Sequence, residues 1–384
     1  MRIGIDGRYI QNHFPGIGRY TYSLISALAP LATDDTLVVL HNPALPNSRY
    51  DLAALAQHHN VELVRLDVPT FSLVEQLRLP SLISDLACNI FHSPYYVKPY
   101  CLPLPSILTL YDVIPTHYPA YYSRHARPLI RLLKRLALRS AAHCLAISET
   151  TKGDFVREYG VSPERITAIP LAADGRFRPA EPAAIADVQA RYHLPPRYVL
   201  YLGINKPHKN LARLVEAWAL IRKQGARSSE QDTTLVLGGR EDPRYPQARQ
   251  RVEEMGLEEK VQFLGDVAEA DLPPLYSGAA AFVFASLYEG FGLPVLEAMA
   301  CGVPVACSNT SSLPEIVGDA ALTFDPTNVE AIAGAMSRLL DDAELRAELR
   351  QLGLKRARHF TWTETARRTL EVYRTVCVLA EREV

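Results

Sequence analysis

Residues 279–309 read AAAFVFASLYEGFGLPVLEAMACGVPVACSN. Ala279–Ala285 is an unbroken apolar run, the pattern of a strand covered on both faces, and Val303–Ala306 is a second. Between them there is room only for a short helix. Pro294 suits its first position, Glu297 falls in its first turn and Gly302 lies just past its last, so residue type specifies both ends. The stretch predicts a βαβ unit.

Between strand and helix lies Glu289-Gly290-Phe291-Gly292-Leu293. Two glycines let backbone N–H groups approach a ligand, and the helix N-terminus adds partial positive charge, so the loop suits phosphate. Bare phosphate would not need the carboxylates of Glu289 and Glu297 on either side. Carboxylates accept from hydroxyls, which points to a ligand with both phosphate and hydroxyls, a nucleotide sugar. The pair does not fit a glycosidase, whose carboxyls lie about 5–9 Å apart across one bond.

The spacing E-G-F-G-L-P-x-L-E-A-M-A-x-G-x-P-V resembles the E-x7-E signature of the retaining glycosyltransferases of family 4, which have the GT-B fold. The resemblance implies an α/β chain of two Rossmann-like domains with parallel sheets facing a central cleft. It places Glu289 by the donor sugar, the Gly290, Phe291, Gly292 and Leu293 backbone by the diphosphate, and Glu297 on the ribose.

A chain of 384 residues exceeds the size at which one core stops growing, so two domains are expected. Net charge of −1 gives no sign of nucleic-acid binding. Six scattered cysteines without a C-x-x-C pair read as reduced thiols, not as a zinc site or a disulfide framework. MRIGIDGRYI enters a strand directly, without a signal-peptide pattern, and no apolar run is long enough to span a bilayer. The expectation is a cytoplasmic protein.

In the first half, Arg2–Asp6 reads as a strand, followed by a loop carrying Gly16-Ile17-Gly18-Arg19 and an amphipathic helix. Thr21 occupies the place of the third glycine of a dinucleotide fingerprint, and the next strand ends in His41-Asn42 without a ribose-binding acid, which disfavours NAD. By resemblance, Gly16, Gly18 and Arg19 form the N-terminal glycine loop over the donor. His92 and Tyr111-Asp112 end two further strands at the edge where ligands collect. His92 and Tyr111 are candidates for the acceptor or sugar side, and Asp112 is a catalytic candidate. Family members often carry histidine at the place of Tyr111; a phenol is no base near neutral pH.

Residues 124–139, RHARPLIRLLKRLALR, place Arg127, Arg131, Lys134, Arg135 and Arg139 on one helical face and Leu129, Leu132, Leu133, Leu136 and Ala137 away from it. Such a helix is either a solvated domain helix or a peripheral contact with anionic lipid at the inner face of the membrane, worth about 1 kcal/mol per cation.

The pattern predicts an N-terminal domain over 1–172, a linker over 173–196, a donor domain over 197–360 and a helix over 361–384 that returns to the first domain. Gly203-Ile204-Asn205-Lys206-Pro207-His208-Lys209 places cations before a helix and resembles the family's G-x-x-x-P-R-K-N element. Lys209 is the candidate diphosphate clamp and Gly203 and Asn205 are donor-binding candidates; Ile204 stands where many members carry arginine.

Together these imply a retaining transferase that moves a hexose, mannose or a related sugar, from a nucleoside diphosphate to a saccharide or lipid-linked hydroxyl acceptor in cell-surface polysaccharide or glycolipid synthesis. With no D-x-D in the chain, Lys209, the loop amides and the helix dipole would take the leaving-group charge without a metal or other cofactor, with Glu289 beside the sugar. A nucleotide-sugar epimerase, a phosphorylase and a non-catalytic nucleotide-sugar sensor remain compatible with the same residues.

Overall fold

The computed structural model describes residues 1–223 and 233–382. Among them, thirteen strands form two sheets, and every strand pair is parallel. The helices that matter for the site are α1 (Pro15–Leu28), α2 (Ala126–Ser140), α3 (Pro182–Arg191), α4 (Leu211–Lys223), α5 (Leu293–Ala300) and α6 (Trp362–Arg382). The chain divides into two units, Met1–Leu171 with Thr361–Val384, and Ala172–Phe360. Residues 383 and 384 of the expected returning helix lie outside the described residues.

The first unit holds β1 (Arg2–Asp6), β2 (Thr36–His41), β3 (Val61–Arg65), β4 (Ile90–Ser93), β5 (Ser106–Leu110), β6 (His143–Ala146) and β7 (Ile166–Ala168), in the order β3-β2-β1-β4-β5-β6-β7. All of β4 and β5 is buried, as expected of central strands covered on both faces. Helix α6 packs against α1 and is tied to the sheet end: Thr365 Oγ1 donates to the Pro170 carbonyl at 2.8 Å and Arg368 to that of Ala168 at 2.7 Å.

Helix α2 corrects the reading of its faces. Lys134, expected on the solvated cationic side, is 3 % exposed, while Leu129, Leu132 and Leu136 are 55, 53 and 37 % exposed. The Lys134 ammonium lies 5.3, 5.8 and 6.0 Å from the ring centres of Tyr96, Phe155 and Tyr159, and donates to the Asp112 carbonyl at 3.3 Å. An aromatic cage accepts a cation with a long apolar stem, so the helix turns its lysine inward. Burial lowers the lysine pKa, against the pull of Asp112.

The second unit holds β8 (Tyr198–Leu202), β9 (Thr234–Gly238), β10 (Val261–Gly265), β11 (Ala281–Phe284), β12 (Val305–Ser308) and β13 (Leu322–Phe324), in the order β10-β9-β8-β11-β12-β13. The stretch 279–309 forms the expected β11-α5-β12 unit, with all of β11 and β12 buried. Two details differ. Pro294 is the second residue of α5, and Glu297 the fifth, just past the first turn.

The range 173–196, expected as a linker, groups with the second unit and carries α3. Ala183, Ala184 and Ala186 favour helix and Pro182 sits at its first position. Asp271 holds the helix end by pairing with Arg191 at 2.5 Å and accepting from Tyr192 Oη at 2.8 Å.

Candidate active site

In the second unit the strand order reverses direction between β8 and β11, and open α/β sheets bind ligands beyond the carboxyl ends of strands at such a point. The two loops that leave there carry Lys209 and Glu289. Lys209 Nζ lies 2.5 Å from Glu289 Oε1, with side chains 14 and 11 % exposed, and 5.1 Å from the centre of the Phe284 ring. Asn210, in a left-handed conformation at φ 62°, donates from Nδ2 to the carbonyls of Ala285 at 3.0 Å and Pro326 at 2.7 Å. The Leu287 amide donates to the His208 carbonyl at 2.7 Å, so backbone and side chain both fasten one loop to the other. Burial, with the positive charges of Lys209 and Lys206, pushes His208 down to about 3, which keeps its ring neutral.

The Glu289 loop is braced from the far side by two serines. The Glu289 amide donates to Ser311 Oγ at 2.9 Å, and Ser312 Oγ is shared between the carbonyls of Glu289 at 3.0 Å and Phe291 at 2.7 Å. Sequence reading passed over both. Their signal was the polar run Ser308-Asn309-Thr310-Ser311-Ser312 after β12, at the same sheet edge. Gly292 precedes α5 at φ 108°, where a Cβ would stand 2.6 Å from Leu313 Cδ2, so only glycine fits. The N-terminus of α5 with its amides thus adjoins a fixed loop. Glu297 is 5 % exposed and accepts from Tyr276 Oη at 3.0 Å, another partner the sequence did not indicate.

This geometry brings Lys209, Glu289, Gly290, Phe291, Gly292 and Leu293 to one place, with Glu297 one turn into α5. A cation, helix amides and two carboxylates can hold an anion beside a polyol. Asn205 has a different job. Its Nδ2 donates to the carbonyls of Asp242 at 3.1 Å and Tyr245 at 2.8 Å, and its Oδ1 accepts from the Asp242 amide at 2.6 Å. The whole amide group is thereby committed to holding 242–245. Gly203 and Asn205 share with Phe263 a cavity of about 20 Å³, enough for one water.

In the first unit, Gly16 and Gly18 lie in the first turn of α1, not in a loop before it, because the helix already starts at Pro15. A Cβ on Gly18 would stand 2.8 Å from the Tyr9 carbonyl, so this glycine serves close packing of α1 on the chain after β1, whereas Gly16 is exposed with nothing nearby. Arg19 follows, half-buried.

His92, expected on the sugar side, is sealed in the core at 0 % exposure. Its Nδ1 bonds the Tyr373 hydroxyl of α6, and its Nε2 lies 2.7 Å from Thr109 Oγ1, which in turn donates to Tyr20 Oη at 3.0 Å. With Thr109 donating onward, Nε2 carries the proton and Nδ1 accepts. Burial pushes His92 down to about 3, so it stays neutral. It is a structural link between β4, β5 and α6.

Tyr111 and Asp112 instead line a cavity of about 110 Å³ together with Tyr95, Tyr96, Tyr122 and Lys134. The Tyr111 hydroxyl is buried without a hydrogen-bond partner among the described residues, and burial holds its pKa well above the usual phenol value. Asp112 Oδ1 accepts from the Ile114 amide at 2.9 Å. A buried hydroxyl without a partner is costly unless a ligand meets it.

Residues 188–356 match the family "Glycosyl transferases group 1", and residues 15–176 match "Glycosyltransferase Family 4". The chain is 32% identical, over 97% of its length and 100% of the relative's, to the O-antigen chain mannosyltransferase B of Escherichia coli. It is 30% identical to the MMP alpha-(1->4)-mannosyltransferase of Mycolicibacterium hassiacum over 64% of this chain and 59% of that one. Among solved structures, the sucrose-phosphate synthase of Thermosynechococcus elongatus superposes with a TM-score of 0.75 at 22% identity, covering 99% of this chain and 100% of that one. Anabaena HepE in complex with UDP and glucose superposes with a TM-score of 0.73 at 21% identity, covering 97% and 98%. The fold is that of the GT-B glycosyltransferases. The chain belongs to glycosyltransferase family 4 and is a glycosyltransferase of the mannosyltransferase-like kind.

Proposed function

We propose that this chain transfers mannose, or a closely related hexose, from a nucleoside diphosphate to a saccharide hydroxyl in polysaccharide synthesis, with retention at the anomeric carbon and without a metal. The observation that carries the reading is the meeting of Lys209 and Glu289 beside the N-terminus of α5, at the point where the sheet order reverses. The barrier in such a transfer is separation of the sugar from its diphosphate, and a preorganised cation and helix amides stabilise the charge that grows on the leaving group. Glu289, across from the ammonium, is placed to hold a sugar hydroxyl or stabilise positive charge at the anomeric carbon. Mannose follows from the relatives' names and matches no feature of the pocket by itself. No described helix is long and apolar enough to cross a membrane, and the exposed leucines of α2 among arginines support peripheral contact with an anionic bilayer.

The test is nucleoside diphosphate release from GDP-mannose, UDP-glucose and UDP-galactose with a panel of mannosyl acceptors, with and without a chelator. The anomeric configuration of the product is read by NMR. Release that needs an acceptor, persists with chelator and gives the donor's configuration is the expected result. Inversion or loss with chelator overturns the mechanism. Binding without turnover under every acceptor makes the chain a sensor, and sugar epimerised or moved to phosphate makes it one of the other two rivals.

A further inference from the structure

A groove of about 510 Å³ in the first unit borders the Tyr111 and Asp112 cavity and has not been given a role. It is lined by Arg127, Arg131 and Arg135 of α2 together with Tyr122, Tyr159 and Thr116. Residues four apart stack on one helix face about 6 Å from one another, so the three guanidinium groups form a ladder. Arg127 is half-buried and anchored, its Nε donating to the Tyr122 carbonyl at 3.2 Å, whereas Arg131 and Arg135 are exposed. Among the described residues neither Arg131 nor Arg135 is paired with a carboxylate, and both act electrostatically on the Tyr159 hydroxyl. Thr116 Oγ1 and Tyr159 Oη, 3.3 Å apart, bond one another and leave one hydroxyl hydrogen to donate. Two guanidinium groups without carboxylate partners among the described residues, lining one groove beside a hydroxyl donor, match the oxygens of a phosphate group better than any neutral ligand.

What surrounds the groove says where the phosphate comes from. Leu132 lines it, and with Leu129 and Leu136 makes an exposed apolar stripe along the outer side of the same helix. Apolar surface beside a cationic row is the pattern of a helix lying in a lipid interface. The groove shares Pro115 and Tyr122 with the cavity that holds Tyr111 and Asp112. The Asp112 carboxylate repels an anion and accepts from a hydroxyl, so a ligand spanning both spaces has its anion outward and its hydroxyls inward.

We infer that the Arg127-Arg131-Arg135 groove binds a phosphate or diphosphate group carried by a lipid, and that the sugar attached to that group reaches toward Asp112 as the acceptor. This deepens the transferase reading by naming the acceptor class, and rests on it for the purpose of the site but not for the binding itself.

The test measures binding of the full chain to three phosphatidylcholine vesicles: plain, with phosphatidylglycerol, and with a long-chain alkyl diphosphate at matched surface charge. Inorganic diphosphate in solution is a fourth arm. Two double variants each remove two positive charges from α2 and its approach: Arg131→Ala with Arg135→Ala inside the groove, and Arg124→Ala with Arg139→Ala outside it. Thermal melting checks that both fold. The expected result is that the parent prefers diphosphate vesicles to phosphatidylglycerol vesicles at least tenfold, and that the groove variant loses about thirty-fold on the former, from roughly fivefold per cation. The outer variant weakens both charged vesicles alike and keeps the preference. Leu132→Ser with Leu136→Ser keeps binding of inorganic diphosphate while losing the vesicles. Equal losses in the two arginine variants, or no preference in the parent, overturn the site and leave only general attraction to anionic lipid. Because no donor is present, that failure leaves sugar transfer untouched, and absent transfer leaves the binding result standing.

Discussion

Replacing Lys209 by methionine separates two roles that the geometry superimposes. The ammonium is 2.5 Å from Glu289, with both side chains about one-tenth exposed. Removing one partner of a fully buried pair costs about 3–5 kcal/mol, and of an exposed pair about 0–1. This pair stands between, so the unliganded variant should lose about 2 kcal/mol, a fall in melting temperature of roughly 4–8 °C for a unit of this size. Methionine keeps an unbranched apolar stem of similar length, so the loss reports the charge, its contact with the Phe284 ring included. If Lys209 also clamps the diphosphate, a charge-assisted hydrogen bond worth about 1.5–3 kcal/mol disappears as well, and calorimetric Kd values for GDP and UDP rise about ten- to hundredfold. Glu289→Gln gives the opposite sign: Lys209 no longer has a competing carboxylate, so nucleoside diphosphate binds as well as before or better while sugar transfer slows. Adding Glu289→Gln to Lys209→Met removes the stranded carboxylate and should recover about 1 kcal/mol, the signature of coupling in a double-mutant cycle. A Lys209→Met protein that melts earlier but binds both nucleotides within twofold of the parent would refute the clamp and leave the ion pair as a strut between two loops.

His92→Phe should cost about 2–4 kcal/mol, read by chemical denaturation, because it strands the Tyr373 hydroxyl and the Thr109 acceptor; unchanged nucleotide Kd at low temperature is the companion result, and a selective loss of transfer without loss of stability would restore a substrate role. Tyr111→Phe should leave stability within about 0.5 kcal/mol, since the hydroxyl has no partner in the described protein, and lower kcat/KM about tenfold if an acceptor meets it; equal kcat/KM would discard that contact. Glu75, at 0 % exposure, is pushed up to about 7 because burial outweighs its attraction to Arg8. Its folded pKa exceeds the unfolded one, so its contribution to stability is full below about pH 4.5 and is lost as pH rises through 7, by at most about 3 kcal/mol. Glu75→Gln should therefore flatten the stability difference between pH 4.5 and 7.5, and an unchanged difference would show that Arg8 keeps Glu75 ionised.

What could be read from the chain follows from the range of the forces involved. The stretch 279–309 was legible because a doubly covered parallel strand needs a continuous apolar run, and glycine and proline mark the helix ends whatever surrounds them. Lys209 and Glu289 were legible as separate candidates in two loops, and sheet order made them a pair across 80 residues. His92 was not legible. A histidine closing a strand looks alike whether it faces a ligand or the core, and its partner Tyr373 arrives 281 residues later on α6. The helix inside the expected linker has a local reason: an alanine-rich, proline-led segment satisfies a linker's small-residue composition and a helix's propensity at once, and Asp271 holds the helix end.

Helix α2 shows the same limit in its most consequential form. The 3.6-residue period sets Leu129, Leu132 and Leu136 opposite Lys134, but a period says only that the sides differ, not which one faces the protein, and Lys134 is buried with Ala137 and Leu138 while Arg131 and Arg135 stay exposed. The ordinary rule sends leucine inward. It is overruled because Lys134 has a cage of Tyr96, Phe155 and Tyr159 waiting, with the Asp112 carbonyl at its end, and one helix cannot bury both that lysine and the leucine stripe opposite. Burying Lys134 forces Leu129, Leu132 and Leu136 into the open and swings Arg131 and Arg135 to the rim of the groove. A Lys134→Leu variant would remove the reason for this orientation. It should quench less of the surrounding tyrosine fluorescence and, if the helix rolls to hide its leucines, abolish vesicle binding with every arginine still in place; binding retained in full would mean that the sheet beneath, and not the lysine cage, sets which face looks out.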